Sequence, residues 1–298
     1  MSETLTIEKN RVVHVPIPLK EERIKNLKLK ACQVRQRVLQ LIKEGGSGHP
    51  GGSLSATDIL TALYFDALNH NPEEPFWPER DRFILSKGHA CPALYVVLAE
   101  AGYFPKEELH GFRKINRMLQ GHPEYGTPGI EVPTGSLGQG FSVSVGIALG
   151  LKLQNKPPHV YALLGDGETQ EGQVWEAAMA AGHKRLDNLT IFIDYNKIQQ
   201  DGFLDDTMTL EPFSDKWRAF NWAVREIDGH DFVQILEGIE WAKSIPDAPQ
   251  VLICNTIKGK GVSFMENEPK WHGTQPPTDE EMKQALDELK KEESKYHD

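Results

Sequence analysis

Cysteine is scarce: Cys32, Cys91 and Cys254 are the whole supply in 298 residues. They lie far apart, are odd in number and have no metal-finger spacing. This excludes a disulfide framework and fits the reduced thiols of a cytoplasmic protein. Long apolar runs are missing as well. None approaches the roughly 20 residues needed to span a bilayer, and Met1-Ser2-Glu3-Thr4 has no basic region leading into an apolar one. Neither a membrane span nor a secretory signal is expected. Basic charge is in deficit, with 33 Lys and Arg against 43 Asp and Glu and a formal net charge of -10. A basic surface that tracks phosphates is therefore absent, which argues against nucleic acid as a partner. Any anionic ligand has to be held locally. There is no internal repeat, and no Pro/Ser-rich linker divides the chain.

What is present belongs to a folded α/β protein. The composition, 39% hydrophobic and 26% charged, is that of a globular chain. The length suits one large domain over 1–298, with an N-terminal extension at 1–19 and a charged C-terminal helix at 278–298. From Lys20 to Glu44, Ile24, Leu27, Ala31, Val34, Val38 and Leu41 recur at steps of three and four, which predicts a helix with one core face. The Gly-rich stretch 45–52 stops it. Ser55 with Asp58 reads as a capping box that opens a second helix. Short apolar runs at 82–86, 160–164, 189–193, 223–227 and 251–254 each lead into a polar loop and alternate with helical segments. That alternation predicts a mostly parallel, twisted sheet with helices on both faces, and ligands beyond the carboxyl ends of its strands.

Two of those loops carry chemistry. Gly165-Asp166-Gly167-Glu168 follows one apolar strand, and Asn196 ends the next. Neighbouring strand ends then present a carboxylate and an amide oxygen side by side. Hard oxygen ligands in that number suit Mg²⁺, which completes its shell with water and the phosphate oxygens of a ligand. A helix starting near Gly172 would aim its N-terminal amides at the same anion. Gly-Asp-Gly alone is also an ordinary turn tripeptide.

The surrounding segments decide between these readings. Ser47-Gly48-His49-Pro50-Gly51, Leu85-Ser86-Lys87-Gly88-His89-Ala90, Gly121-His122-Pro123-Glu124, Thr134-Gly135-Ser136-Leu137-Gly138-Gln139-Gly140, Asp228-Gly229-His230 and Trp271-His272-Gly273 follow one another in the order of the transketolase family, around a Gly165-Asp166-Gly167…Asn196 pair that resembles its thiamine diphosphate and metal motif. The likeness covers roughly residues 20 to 275, and only the first third to half of a transketolase. It implies the diphosphate-binding domain of a split enzyme. The pyrimidine-binding domain, with the glutamate that activates the cofactor, then belongs to a second subunit in an α2β2 heterotetramer, and the isolated chain is inactive.

By resemblance, Mg²⁺ (with Ca²⁺ or Mn²⁺ as substitutes) is held by Asp166, the Asn196 side chain and the Ile198 carbonyl. The implied thiamine diphosphate contacts are His89, Gly135, Leu137, Gly165, Gly167, Glu168, Asn196, Lys258 and His272. His49, His89, His122 and His272 surround the reacting carbon and sugar hydroxyls, where imidazole suits proton transfer, and Glu171 lies in a carboxylate network at the subunit boundary. The implied reaction moves a two-carbon ketol unit from a ketose phosphate to an aldose phosphate. Thr274 stands where some relatives carry lysine, and Ser136 where others carry proline. The rivals are a half-subunit of another thiamine diphosphate enzyme, such as a 1-deoxyxylulose phosphate synthase or a 2-oxoacid dehydrogenase α subunit, and a non-catalytic cofactor-binding subunit. His14, His70, His110, His159, His183 and His297 read as ordinary surface or core residues, His230 as part of a turn, Asp228-Gly229-His230-Asp231, with an Asp cap for the next helix, and Trp175, Trp217 and Trp222 as packing.

Overall fold

The computed structural model describes residues 21–200, 202–273 and 275–297, so the expected extension at 1–19 and Thr274 lie outside the described residues. In chain order the elements are α1 (Glu21–Gly45), α2 (Pro50–Ala62), β1 (Arg82–Leu85), α3 (Cys91–Ala101), α4 (Gln139–Leu153), β2 (Val160–Gly165), α5 (Gly172–His183), β3 (Leu189–Tyr195), β4 (Ile198–Gln199), β5 (Gly202–Phe203), α6 (Leu204–Thr207), α7 (Phe213–Ala219), β6 (Ala223–Asp228), α8 (Phe232–Lys243), β7 (Gln250–Asn255) and α9 (Asp279–Glu293). The five apolar runs are the five strands of one sheet, ordered β1-β2-β3-β7-β6 and parallel throughout.

Each central strand is buried on both faces, and its side chains alternate between two cores. Tyr161 and Leu163 of β2 face the layer built from α1, α2, α3, α8 and α9. Val160, Ala162 and Leu164 face the layer of α4, α5 and α7. The parallel register brings every strand to the same rim, with Gly165 beside Asp194 and Asp194 beside Cys254. The loops after β1, β2, β3 and β7 therefore leave the sheet together, and the candidate site is assembled there.

Two local expectations change. The second helix starts five residues before Ser55, because Pro50 sets the first helical φ and Gly51-Gly52 continue the turn instead of breaking it. Ser55 and Asp58 thus lie inside α2, where Ser55 bonds Asp194 and Asp58 pairs with Arg35, so they form no capping box. The structure also adds α4, which begins in the Gly-rich segment 134–140. At the C-terminus a capping box is found at Thr278 and Glu281, and α9 buries Met282, Ala285 and Leu289 as the stripe predicts. The Asp cap expected after the turn at 228–231 is Asp231, which accepts from Val233 N at the start of α8. Trp217 and Trp222 are buried in the core below α4 and α5, as expected of packing residues.

Candidate functional site

At the end of β2, Asp166 is 2% exposed and its carboxylate ties two loops together. One oxygen accepts from Gly167 N at 2.7 Å and the other from Lys197 N at 2.5 Å. The turn that brings Lys197 there needs a left-handed residue, and Lys197 has φ 65°. Asn196 Oδ1 accepts from Ile198 N at 3.2 Å, and the Ile198 carbonyl accepts from Lys258 Nζ at 2.8 Å. Asp166, after β2, and Asn196 and Ile198, after β3, thus form an all-oxygen set of carboxylate, amide and carbonyl across two adjoining loops. Burial, together with the nearby Asp194 carboxylate, pushes the Asp166 carboxyl up to about 6. The neighbouring Gln199 Oε1 is buried without a hydrogen-bond partner. A buried carboxylate whose charge burial opposes, near an orphaned amide oxygen, fits a hard divalent ion better than it fits a plain turn. Among the described residues no group of three His, Cys, Asp or Glu offers a softer metal site.

Behind these oxygens lie two buried lysines. Lys87, 1% exposed, pairs with Asp194, 0% exposed, and also donates to the Gly52 carbonyl at 3.2 Å. Asp194 further accepts from Ser55 Oγ at 2.6 Å and from the Thr256 hydroxyl. Burial works against its charge, but Lys87 and these donors hold its carboxyl below the usual range. Lys258 donates to Ile198 O and, at 2.7 Å, to His272 Nδ1, while burial and the neighbouring Lys87 bring its ammonium down to about 8. Lys87 is neutralised by Asp194, whereas Lys258 has only a carbonyl and an imidazole as hydrogen-bond partners and is the ammonium available to an anion.

Above this base the four expected histidines meet. The His49 ring centroid lies 5.2 Å from that of His89, 6.3 Å from His122 and 5.8 Å from His272, and His89 and His272 are 5.3 Å apart. The loop carrying Gly135 packs directly on this cluster: at φ 145° a Cβ there would sit 2.9 Å from the His122 ring, which only glycine avoids. Burial disfavours the imidazolium at all four positions. It acts with Arg113 at His49, lowered to about 4, and with Lys258 at His272, lowered to about 3. His122 is lowered by burial and Arg113, and His89 falls well below the ordinary value through burial and Lys87. All four are therefore neutral at neutral pH. Because the Lys258 ammonium occupies Nδ1 of His272, that ring carries its proton on Nε2. His49 Nδ1 is buried without a partner.

The remaining assignments divide. Leu137 is half-buried on the loop before α4, and Glu171 stands exposed at the start of α5 with no capping hydrogen bond from its side chain. Glu168, expected among the cofactor contacts, turns its side chain into the protein instead. One oxygen accepts from Ser86 Oγ and from Gly138 N at 2.8 Å, the other from Gly165 N at 3.0 Å. The Gly165 amide is thereby engaged with Glu168 as well. Sequence reasoning passed over Lys87, Asp194 and Arg113, whose Nη1 donates to Ser47 Oγ at 2.8 Å. Lys87 carried a signal, a lysine directly after a buried strand inside a motif already noted. The histidines set aside do ordinary work: His159 bonds Thr190, His70 bridges Tyr64 and Tyr103, and His110 pairs with Glu44.

Residues 27–296 match the family model described as transketolase, thiamine diphosphate binding domain. This chain belongs to the transketolase family. It is 48% identical over 268 residues to a 6-deoxy-6-sulfo-D-fructose transketolase subunit of Clostridium sp. (strain MSTE9), covering 90% of this chain and 97% of that protein. It is 41% identical over 266 residues to an apulose-4-phosphate transketolase subunit of Phocaeicola vulgatus, covering 89% and 94%. Human transketolase shares 38% identity over 258 residues, which is 86% of this chain but 41% of that protein. The crystal structure of transketolase from Campylobacter jejuni superposes with a TM-score of 0.84 at 32% identity, covering 91% of this chain and 45% of that one. The transketolase-family chain thus spans nearly the whole length of relatives named as subunits, and under half the length of the solved transketolase. Its free cysteines are all buried, and among the described residues no helix is long and apolar enough to cross a membrane.

Proposed function

We propose that this chain is the diphosphate-binding subunit of a two-subunit cytoplasmic transketolase, acting as one domain with a pyrimidine-domain partner in an α2β2 assembly. The observation that carries the reading is the layering of the site: an oxygen set at Asp166, Asn196 and Ile198, two buried lysines, and four clustered histidines on one strand-end rim. In this reading Asp166, Asn196 and the Ile198 carbonyl hold Mg²⁺, and Gly167 and Lys258 face the diphosphate. Thiamine diphosphate, when bound, supplies the nucleophile and electron sink for breaking and forming the C–C bond. The protein's share is orientation and proton handling. His272 offers Nε2–H to a substrate oxygen, since Lys258 holds its other nitrogen. His49, with no proton donor on Nδ1, takes up and returns a hydroxyl proton, and His89 and His122 hold the hydroxyls of the two-carbon unit.

The partner assignment has its own support. The adjacent helices α4 and α5 expose Val143, Leu153 and Met179, and Phe203 and Met208 stand exposed near the metal-side turn. Apolar side chains left in water on these elements suit an intersubunit contact. The names of the relatives mark sugars with an anionic end, phosphate or sulfonate, as the substrate class to test. Reconstituted with its partner, the chain is expected to transfer a ketol unit from hydroxypyruvate to ribose 5-phosphate and to leave pyruvate untouched. Asp166→Ala is expected to abolish transfer and Mg²⁺-dependent cofactor binding. Preference for pyruvate would favour the rival enzymes, and undiminished transfer by Asp166→Ala would remove the site assignment.

A further inference from the structure

With Asp231 capping α8, His230 is left free for other contacts, and both of its ring nitrogens are engaged. Nε2 accepts from the backbone N–H of Ile257 at 2.8 Å, so it carries a lone pair. The ring proton is therefore on Nδ1, which donates to Asp58 Oδ2 at 2.7 Å. Asp58 is gripped in turn by Arg35, Nη1 to Oδ1 at 2.9 Å and Nη2 to Oδ2 at 2.6 Å, and Arg35 also reaches Leu54 O. Arg35 and Asp58 are 6% and 4% exposed and belong to α1 and α2, two helices packed in the core. Burial opposes the Asp58 charge, but Arg35 and His230 outweigh it and hold the carboxyl down at about 2. Each group in this row donates or accepts in the only sense left to it.

The row ends at the Thr256–Ile257 peptide, one residue before Lys258. The flanking groups have their own anchors: Thr256 N on Tyr195 O, Gly259 N on Gly51 O, and the Lys258 carbonyl under Asn267 N. The Ile257 amide is held by His230. We propose that His230 is a positioning residue: backed by Asp58 and Arg35, it fixes the Thr256–Ile257 peptide and so aims the next residue, Lys258, with its ammonium on His272 Nδ1 and the Ile198 carbonyl. This rests on the reading of His272 and Ile198 as site groups given above. It assigns the Asp228-Gly229-His230 segment a part in orienting the reaction and not only in turning the chain.

The test uses the full chain paired with its partner subunit. His230→Leu removes both bonds, while His230→Gln keeps an acceptor for Ile257 and a donor for Asp58. In His230→Leu, hydrogen–deuterium exchange of the peptide covering 256–260 is expected to speed up at least tenfold. Thiamine diphosphate with Mg²⁺ is expected to bind about tenfold more weakly, and kcat to fall about tenfold at unchanged KM for the acceptor sugar. His230→Gln is expected to recover most of each loss. In a Lys258→Met background His230→Leu should cost no further kcat, because the histidine acts through that lysine. Unchanged exchange in His230→Leu, failure of His230→Gln to recover, or fully additive losses in the double variant would each overturn the proposal. If the unaltered pair transfers no ketol unit, the functional reading fails by itself, and exchange still decides the anchoring.

Discussion

Glu168→Gln tests the site architecture most directly, because it changes one charge and almost no volume. The carboxylate accepts from Ser86 Oγ, Gly138 N and Gly165 N, which lie on the loops after β1, before α4 and at the end of β2. A glutamine can keep its oxygen on Gly138 and Ser86, but its NH₂ then faces the Gly165 N–H, two donors where a 3.0 Å bond had been. Losing a hydrogen bond to a charged acceptor costs about 1.5–3 kcal/mol, and leaving a buried donor unpaired costs about 1–3 kcal/mol more. Part of this is offset, since burial pushes the Glu168 carboxyl up against the pull of its donors and the neutral amide escapes that penalty. A net loss of about 2–3 kcal/mol corresponds to a fall in Tm of roughly 4–10 °C for a chain of this size. The same movement displaces Gly165, next to Asp166, and Gly138, next to Leu137. Titration of the paired complex with thiamine diphosphate and Mg²⁺ should therefore show at least about a tenfold weaker affinity, the equivalent of about 1.4 kcal/mol. A variant that melts within about 1 °C of the parent and titrates identically would refute the view that Glu168 holds these loops.

Gly182→Ala places a Cβ 1.9 Å from the Phe220 carbonyl oxygen, a backbone atom that has nowhere to go, and is expected to cost about 3 kcal/mol, read as a drop in the urea midpoint at constant m. His159, lowered to about 3 mainly by burial, is neutral in the folded state while the unfolded chain takes up a proton near 6.5. Its contribution is complete above pH 6.5 and shrinks as pH falls toward 3, by about 2 kcal/mol at pH 5. His159→Gln should accordingly narrow the gap between the melting temperatures at pH 7 and pH 5, and an unchanged gap would place the acid sensitivity elsewhere. The purified chain without its partner is expected to show no steady ketol transfer; turnover by the single subunit would contradict the split-site reading.

Elements whose signal is local were legible in the sequence. Each of the five strands is an apolar run short enough to be buried on both faces, and α1 and α9 carry stripes at helical spacing, so the parallel sheet and its cover follow from pattern alone. Helix α4 escapes that logic. Its sequence Gln-Gly-Phe-Ser-Val-Ser-Val-Gly has no division into apolar and polar faces, because Val143 on the outward side is left in solvent. The residues that touch ligand in the proposed site, Asp166, Asn196 and the four histidines, lie in loops whose neighbours along the chain announce them. Those that hold them do not: Lys87 meets Asp194 across 107 positions, Ser86 meets Glu168 across 82, and His230 meets Asp58 across 172. No window of sequence contains such a pair.

The tetrapeptide Gly165-Asp166-Gly167-Glu168 shows why spacing does not sort the two kinds. Both carboxylates are fully buried and burial raises both, so composition and environment describe them alike. They differ in what meets their oxygens. Asp166 receives two backbone amides and still has the Asn196 and Ile198 oxygens beside it, with Gln199 Oε1 left unpartnered nearby. Glu168, two residues on and past the first bend of the turn, is met by a hydroxyl and two amides from three loops. Each Asp166 oxygen accepts from one amide, which leaves it lone pairs for a cation shared with the other oxygens of that rim, whereas the Glu168 carboxylate is taken up by three donors that join three loops. In the proposed site Asp166 is accordingly the carboxylate assigned to the metal and Glu168 the one that ties the loops, a distinction that requires the partners and not the motif.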